Sequence, residues 1–209
     1  EIVPPLNPYE VEFLDRFAET RHVYRESGPY AVYGSQSDVH AGAEPPPEQP
    51  GYRCHWVPTA SGDALIFDEE EKFYHAEIWL AYLIDTFLKP GAVIVRERAE
   101  PVAGRFHPPA FEHFTCDHVL TGVIDADGDD EDDFWRIEVR ANEVNVVRLV
   151  EWPVHADIDP GSPSEWTSVE WDEFSRRALH NHVSVVSGNG GIRRLGPAEE
   201  AGFRPVEKP

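Results

Sequence analysis

A long, largely apolar segment over residues 72–88 constrains the fold of this chain more than any other feature. Its hydrophobic side chains recur at helical spacing and cover more than half of the circumference of a helix. The segment therefore predicts a helix that is buried on most sides, preceded by the acids 68–71 and ended by residues 89–91. The apolar positions are Phe73, Ile78, Trp79, Tyr82, Leu83, Ile84 and Phe87.

A second helix and a hairpin are predicted in the first third of the chain. Asn7 and Pro8 are typical of a helix start, and the apolar spacing after them predicts a helix over residues 8–24. A short strand at residues 2–3 precedes that helix, and residues 52–67 predict a β-hairpin. The segments expected to be exposed or mostly loop are 34–51 and 91–117.

Three alternating segments predict an antiparallel meander: residues 118–126, 134–140 and 144–150, with a tight turn at Asn142-Glu143. The order strand, helix, hairpin, helix, meander predicts an α+β fold. We expect a two-layer sandwich in which both main helices cover one face of an antiparallel sheet. The tryptophans expected in its core are Trp56, Trp79 and Trp135.

Composition along the chain indicates one domain and an extension. Residues 1–152 contain the predicted α+β domain. Residues 153–209 are expected to form the extension, with a Pro/Gly/Ser linker at 157–164, a short helix at about 166–180 and a loose Gly-rich end at 188–209.

The charge of the chain excludes several classes of function. Its 39 acidic and 18 basic residues give a formal net charge of -21. Nucleic-acid binders and membrane-surface proteins need basic surfaces, so direct contact with nucleic acid or a membrane is not expected. No run approaches the roughly 18 apolar residues of a transmembrane helix. Cys54 and Cys116 do not make a disulfide framework, so we expect reduced thiols and a cytoplasmic protein.

An acidic run at residues 125–133 is the densest cluster of charge. An EF-hand loop starting at Asp125 would need Gly at its sixth position and Glu at its twelfth, where this chain has Asp130 and Arg136. The remaining interpretations are a solvated hairpin tip, weak calcium binding, or a surface that attracts a basic protein partner. The candidate partner-binding acids are Asp125, Asp127, Asp129, Asp130, Glu131, Asp132 and Asp133.

A cluster of metal-binding residue types lies just before the meander. His107, His113, Cys116 and His118 could supply zinc ligands, although their spacing matches no zinc finger or ribbon. Three of them could converge only if the loop before residue 116 folds back. The alternative is a set of ordinary surface histidines with a buried thiol.

Several motifs in the first 150 residues carry a resemblance to known sequences. Their order along the chain is similar to that of an uncharacterised protein family of unknown function from actinobacteria and phages. The resemblance implies a shared fold and no particular activity. The motifs are I-V-P-P-L-N (2–7), F-A-E-T-R (17–21), S-G-P-Y (27–30), Q-P-G-Y-R-C-H-W-V-P-T (49–59), E-K-F-Y-H-A-E-I-W-L-A-Y-L-I-D-T-F-L-K-P-G-A (71–92), H-V-L-T-G-V-I (118–124) and D-D-F-W-R-I-E-V-R-A-N-E-V (132–144).

Three classes of function remain. The chain has no nucleophile elbow, no phosphate-binding loop and no Cys/His catalytic signature. The sequence therefore favours a non-catalytic acidic binding protein of unknown partner, linked to phage–host interaction, with no cofactor. The alternatives are a metal-dependent enzyme that uses the His/Cys cluster and a structural or assembly protein.

Overall fold

The computed structural model describes residues 1–32, 44–70, 73–127, 134–151 and 179–206. The helices are α1 (Pro8–Glu19), α2 (Ala76–Leu83) and α3 (Val93–Ala99), with a π-helical turn at Ile84–Leu88 and a 3-10 turn at Pro109–His113. The strands are β1 (Ile2–Val3), β2 (Trp56–Pro58), β3 (Leu65–Phe67), β4 (Val119–Leu120), β5 (Gly122–Asp127), β6 (Phe134–Arg140), β7 (Glu143–Glu151), β8 (Leu179–Val186) and β9 (Ile192–Pro197). The α+β class is confirmed, because two main helices occur together with antiparallel sheets.

The chain divides into two compact units. The first contains the three helices and strands β1 to β4, and the second contains most of the five-stranded sheet β5-β6-β7-β8-β9. The first unit comprises Glu1–Gly122, Val139–Val144 and Val186–Ile192, and the second comprises Val123–Glu138, Asn145–Val185 and Arg193–Pro209.

Helix α1 begins at a capping box, which confirms the predicted start. The Asn7 side chain accepts a hydrogen bond from the Glu10 amide (3.2 Å), and the Glu10 carboxylate accepts one from the Asn7 amide (2.8 Å). The helix ends at Glu19 rather than at residue 24. It stops there because Thr20 is extended and its hydroxyl donates to the Arg16 carbonyl oxygen (2.7 Å).

Helix α2 and the π-helical turn form a buried segment, as the apolar pattern predicted. Trp79, Leu83 and Phe87 are fully buried. The helix begins at Ala76 rather than at residue 72, because His75 has a left-handed backbone with φ 59 and the first turn starts after it. The acids at 68–70 therefore lie before the helix instead of at its N-terminus.

The end of this segment is closed by hydrogen bonds from other parts of the first unit. The Lys89 amide donates to the carbonyl oxygen five residues earlier (3.1 Å), which is the π-helical spacing. The Cys116 thiol donates to the Phe87 carbonyl oxygen (3.2 Å), and the His118 amide donates to that of Leu88 (3.1 Å). These contacts satisfy carbonyl groups that a helix C-terminus leaves without partners.

Aromatic rings fill the core of the first unit. The Phe13 ring lies 5.4 Å from that of Phe87 and 5.0 Å from that of Phe111, both in edge-to-face geometry. Phe17 meets the other side of Phe87 at 5.3 Å, and Tyr30 lies 5.4 Å from Phe111. Residues from α1, the π-helical turn and the 3-10 turn thus share one packed cluster.

The segment 91–117, predicted to be mostly loop, contains helix α3 and the 3-10 turn. The side chain of Glu97 in α3 is buried and accepts hydrogen bonds from the Tyr30 hydroxyl (2.8 Å) and from Arg105. This helix has only seven residues, so its apolar spacing gives a weak helical signal. The three prolines that follow it in the sequence favour a loop.

The meander is confirmed, with two differences in detail. The predicted strand at 118–126 is divided, because Ile2 of β1 pairs with Leu120 of β4 while β5 joins the larger sheet. The turn between β6 and β7 is at Ala141-Asn142, one residue before the predicted position. Both residues have positive φ values, 47 and 74, as in a two-residue hairpin turn of the I′ type.

The Gly-rich end, predicted to be loose, contains strand β9, which pairs with β8 just before it. Gly188, Gly190 and Gly191 lie in the connection between these strands, where the Ser187 amide donates to the Gly191 carbonyl oxygen (2.9 Å). The second unit has its own small apolar cluster, formed by Val147, Val183, Ala198, Phe203 and Val206. The predicted linker and most of the predicted short helix lie outside the described residues.

Two of the three tryptophans predicted to be buried are in the core of the first unit. Trp56 and Trp79 are buried, and the Trp56 indole donates to the Ala76 carbonyl oxygen (2.8 Å). The prediction for Trp135 is wrong, because its ring is only half-buried and the Arg148 guanidinium lies over it at 5.2 Å.

One stretch of the described chain, residues 76–99, is long and apolar enough by length and composition to cross a membrane. That test is weak support for a membrane span, since buried core helices also pass it and 61% of this window is buried inside the protein. Lys89, Pro90 and Gly91 also interrupt the helix between the π-helical turn and α3.

Gly62 provides a test of how the N-terminal segment packs. It has φ +72, and a Cβ placed there would collide with the backbone of Leu6. Gly104 has φ +79 with nothing within 4 Å of such a Cβ. We expect Gly104→Ala to lower the free energy of unfolding by about 1 kcal/mol, the cost of the left-handed conformation. Gly62→Ala should lower it clearly more in urea unfolding, and equal losses would contradict this packing.

Candidate functional site

The histidines of the predicted metal cluster face different parts of the first unit. His107 Nε2 lies 3.2 Å from Glu97, next to the Tyr30 ring. The His113 ring stacks on Tyr9, with ring centroids 4.0 Å apart. Cys116 donates to the backbone of the π-helical turn. The loop before residue 116 does not bring these groups together.

His118 is fully engaged in a buried hydrogen-bond network. Its Nδ1 donates to the Pro4 carbonyl oxygen (2.7 Å), and its Nε2 lies 3.1 Å from Glu10 Oε1 and 3.1 Å from the Thr115 hydroxyl. Neither ring nitrogen is left for a metal. Among the described residues, no group of three or more His, Cys, Asp or Glu side chains could hold a metal ion.

The Glu10–His118 contact is a buried ion pair. A carbonyl oxygen only accepts, so Nδ1 carries a hydrogen, and the carboxylate favours a second one on Nε2. Burial lowers the pKa of His118, but the hydrogen bonds to Glu10 and Pro4 outweigh it and raise the pKa above its ordinary value. Burial raises the pKa of Glu10, and the bonds from His118, Asn7 and Thr115 lower it further than burial raises it.

Little of the predicted partner-binding run can be placed. Asp125 is exposed in β5, and its carboxylate pairs with Arg136 Nε at 2.6 Å. Asp127 is the last residue of that strand. The other acids of the run, Asp129, Asp130, Glu131, Asp132 and Asp133, lie outside the described residues.

The first unit contains an open cleft with a volume of about 1160 Å³. Its walls come from the end of α1, the segment 50–53, the β2-β3 hairpin and the segment that leads into α2. We call it the acidic cleft, because four of its lining residues are acids and one is an arginine. Its charged and aromatic lining residues are Asp15, Glu19, Arg53, Asp68, Glu70, His55, His75, Tyr52 and Tyr74. Its volume exceeds that of many small-molecule pockets.

One face of the hairpin forms part of this cleft. In the β2-β3 register, Val57 lies opposite Ile66. Two residues further along each strand, the Asp68 amide donates to the His55 carbonyl oxygen (3.1 Å). Because side chains alternate between the two faces of a strand, His55, Val57, Ile66 and Asp68 share a face. Trp56 lies on the other face, in the core.

His55 and Asp68 form a side-chain pair at the cleft. The Nδ1 of the buried imidazole lies 3.0 and 3.2 Å from the two carboxylate oxygens. A carboxylate only accepts, so Nδ1 carries the hydrogen and neutral His55 keeps its lone pair on Nε2. Such a pair can orient a general base. The described lining contains no Ser, Thr, Cys or Lys side chain that could act with it as a nucleophile.

Apart from the His55–Asp68 pair, the cleft carries more negative than positive charges. Arg53 is its only Lys or Arg among the described lining residues, and Arg53 donates to the Glu19 carbonyl oxygen (3.0 Å). In the described part of the chain, the carboxylates of Asp15, Glu19 and Glu70 form no ion pair. The exposed Tyr52 ring lies under the Arg21 guanidinium at 4.9 Å, so this surface already stacks a cation.

Sequence reasoning did not identify this cleft. The sequence pattern places the acids 68–71 only as a segment that precedes the buried helix, and it does not single out His55. The structure gives a left-handed backbone to His75 (φ 59), which lines the cleft, and to Glu69 (φ 65), which lies between the lining residues Asp68 and Glu70. Such conformations are unfavourable for residues other than glycine and are concentrated at functional sites.

No family model matches this chain, and comparisons with curated proteins and with solved structures find no match either. The resemblance to actinobacterial and phage sequences therefore stays a prediction.

The Glu10–His118 pair predicts a pH-dependent stability. His118, with a pKa raised above 6.5, contributes fully below pH 6.5, and this contribution is lost as the pH rises through the folded value. Glu10, with a pKa lowered below 4.5, contributes fully above pH 4.5, and this is lost as the pH falls through the folded value. The pair should stabilise the fold most between pH 4.5 and 6.5.

Urea unfolding of Glu10→Gln measures this contribution. We expect a loss of about 3 kcal/mol at pH 5.5, because His118 is left buried without its partner. The matched control is Glu12→Gln on the same helix, where an exposed pair with Arg16 should change stability by less than about 0.5 kcal/mol. A pH profile that is the same in Glu10→Gln and in the unmodified chain would contradict the ion pair.

The two thiols should be unreactive in the folded protein. Burial raises the pKa of Cys54 to about 12 and that of Cys116 to about 11, so thiolate is scarce at pH 8. We expect DTNB to titrate no thiol in the native state and two after unfolding in guanidinium chloride. Rapid labelling of one thiol in the native state would show that its site is open.

Proposed function

We propose that this protein is a non-catalytic binding protein that captures a basic protein partner in its acidic cleft. One observation carries the proposal: four carboxylates, from Asp15, Glu19, Asp68 and Glu70, line a single open cleft beside one arginine. The phage and actinobacterial resemblance supports a partner met in phage–host interaction. The proposal assigns the cleft no metal or cofactor.

The positions of the carboxylates suit a cationic side chain. Asp15 and Glu19 are four residues apart on α1 and therefore lie on one face of it. Asp68 is held by His55, and one of its oxygens also accepts a hydrogen bond from the Glu70 amide (2.9 Å). Three carboxylates remain for a guest, and a guanidinium can bind a carboxylate with two parallel hydrogen bonds.

The cleft also offers aromatic surface to such a guest. Tyr74 is 70% exposed at its edge, and Tyr52 is exposed beside it with one ring face already under the Arg21 guanidinium. The flat face of a tyrosine attracts a cation through its ring electrons. An arginine-rich segment can use both the carboxylates and the rings, and the net charge of -21 would speed its association with the protein.

A fluorescein-labelled octa-arginine peptide tests this proposal by fluorescence anisotropy. The variant Asp15→Asn/Glu19→Gln/Glu70→Gln removes three charges from the cleft and should weaken binding about tenfold or more in 0.1 M salt. The control Glu100→Gln/Glu199→Gln/Glu200→Gln removes three charges from exposed positions outside the cleft. We expect it to bind nearly as well as the unmodified chain.

Two outcomes would contradict the proposal. If both triple variants lose the same affinity, the peptide responds to net charge alone and the cleft is not its site. If binding in 0.5 M salt equals binding in 0.1 M salt, the interaction is not electrostatic, because screening shortens the range of exposed charges.

A further inference from the structure

One edge of strand β3 is unpaired in the described part of the chain, where its only strand neighbour is β2. The Thr59 amide donates to the Ala64 carbonyl oxygen (2.9 Å), and the Asp68 amide donates to that of His55 (3.1 Å). Hydrogen-bonded and non-hydrogen-bonded pairs alternate along an antiparallel ladder. Leu65 and Phe67 are therefore non-hydrogen-bonded positions, and their backbone N–H and C=O groups point away from β2.

This edge is protected only by its short length. Strand β3 has three residues, and they include no proline, no charged side chain and no bulge. Ile66 is 49% exposed and Phe67 is 41% exposed. The N-terminal segment covers only the preceding residues, where the Leu6 amide donates to the Gly62 carbonyl oxygen (2.9 Å) and the Ile2 amide to that of Asp63 (2.7 Å). The open edge thus begins after residue 63.

The charges around the edge select its occupant. Asp63 precedes β3, and Asp68, Glu69 and Glu70 follow it. A second copy of this chain would bring the same acids against themselves and would add its own net charge of -21. A basic segment meets opposite charges at both ends of the strand.

We propose that an extended segment of the basic partner adds to the edge of β3 as a further strand, with basic and apolar residues in alternation. This inference rests on the proposed function and specifies the shape of the partner. Ile66 and Asp68 share a face with His55 in the acidic cleft, so alternate side chains of the added strand lie beside that face. Main-chain hydrogen bonds supply affinity, and the acids select the basic side chains.

Amide hydrogen exchange measured by NMR tests the added strand directly. The probe is a fluorescein-labelled octapeptide of alternating Arg and Val. At saturating peptide, exchange should slow at the outward-facing amides of Leu65 and Phe67 by about tenfold or more, whereas Ile66 is already bonded to β2 and should change little. Equal slowing at all three amides, or none, would overturn the proposal.

A second peptide separates backbone pairing from charge. The same octapeptide with N-methyl groups at alternate residues keeps its charge and loses donors on one edge, and it should bind about tenfold more weakly. On the protein side, Ile66→Lys should also weaken binding, whereas Val102→Lys at another exposed apolar position should not.

The outcomes distinguish this proposal from the proposed function. If N-methylation has no effect while the cleft triple variant still loses affinity, the added strand is wrong and capture in the cleft stands. If the alternating peptide and octa-arginine both fail to bind, both proposals are wrong. A protein that dimerises through β3, with slowed exchange at Leu65 and Phe67 in the absence of peptide, would show that a second copy is the occupant.

Discussion

The buried ion pair between Glu10 and His118 connects parts of the first unit that are far apart in sequence. Glu10 also completes the capping box of α1 and accepts a hydrogen bond from the Thr115 amide (2.8 Å). His118 binds the Pro4 carbonyl oxygen through its ring and the Leu88 carbonyl oxygen through its amide. Two charges that are costly to bury are thus stabilised by each other and by hydrogen bonds with Asn7, Thr115 and Pro4. The orientation of α1 follows from them.

That orientation determines where the acidic cleft lies. The buried side of α1 carries Phe13 and Phe17 into the aromatic cluster, so its other side presents Asp15 and Glu19 to the cleft. The hairpin packs beside α1 and supplies the His55–Asp68 pair on the face opposite the buried Trp56. The cleft therefore depends on the same packing that forms the core, although its own charges contribute little to stability.

Much of the fold could be predicted because periodicity and caps act locally. Asn7, Pro8 and the apolar spacing identified α1, and the hairpin, the meander and the buried helix were also recovered. Helix α3 and the strands β8 and β9 were missed, because α3 is too short for a periodic signal and the glycines around β9 are typical of a loop. The prediction for Trp135 was wrong, because an aromatic ring on a strand can be covered by an arginine side chain as readily as it can enter a core.

The candidate site was harder to predict for a physical reason. His107, His113, Cys116 and His118 are close in sequence, but each contacts residues from another part of the chain, and those partners cannot be seen in the local pattern. The acids of the cleft come from α1 and from the hairpin exit, 53 positions apart between Asp15 and Asp68. Only the tertiary packing brings them to one surface.

The π-helical turn gives this part of the chain one residue more than its span requires. A π-helical turn holds one residue more than an α-helical turn over the same span. Deleting one residue from 84–88 would therefore let the turn close with α-helical spacing, while the residues on either side keep about the same positions. Removing one residue from the middle of α1 would instead rotate the rest of that helix by about 100° relative to its buried face. Natural variation in length is therefore expected at 84–88 rather than inside α1.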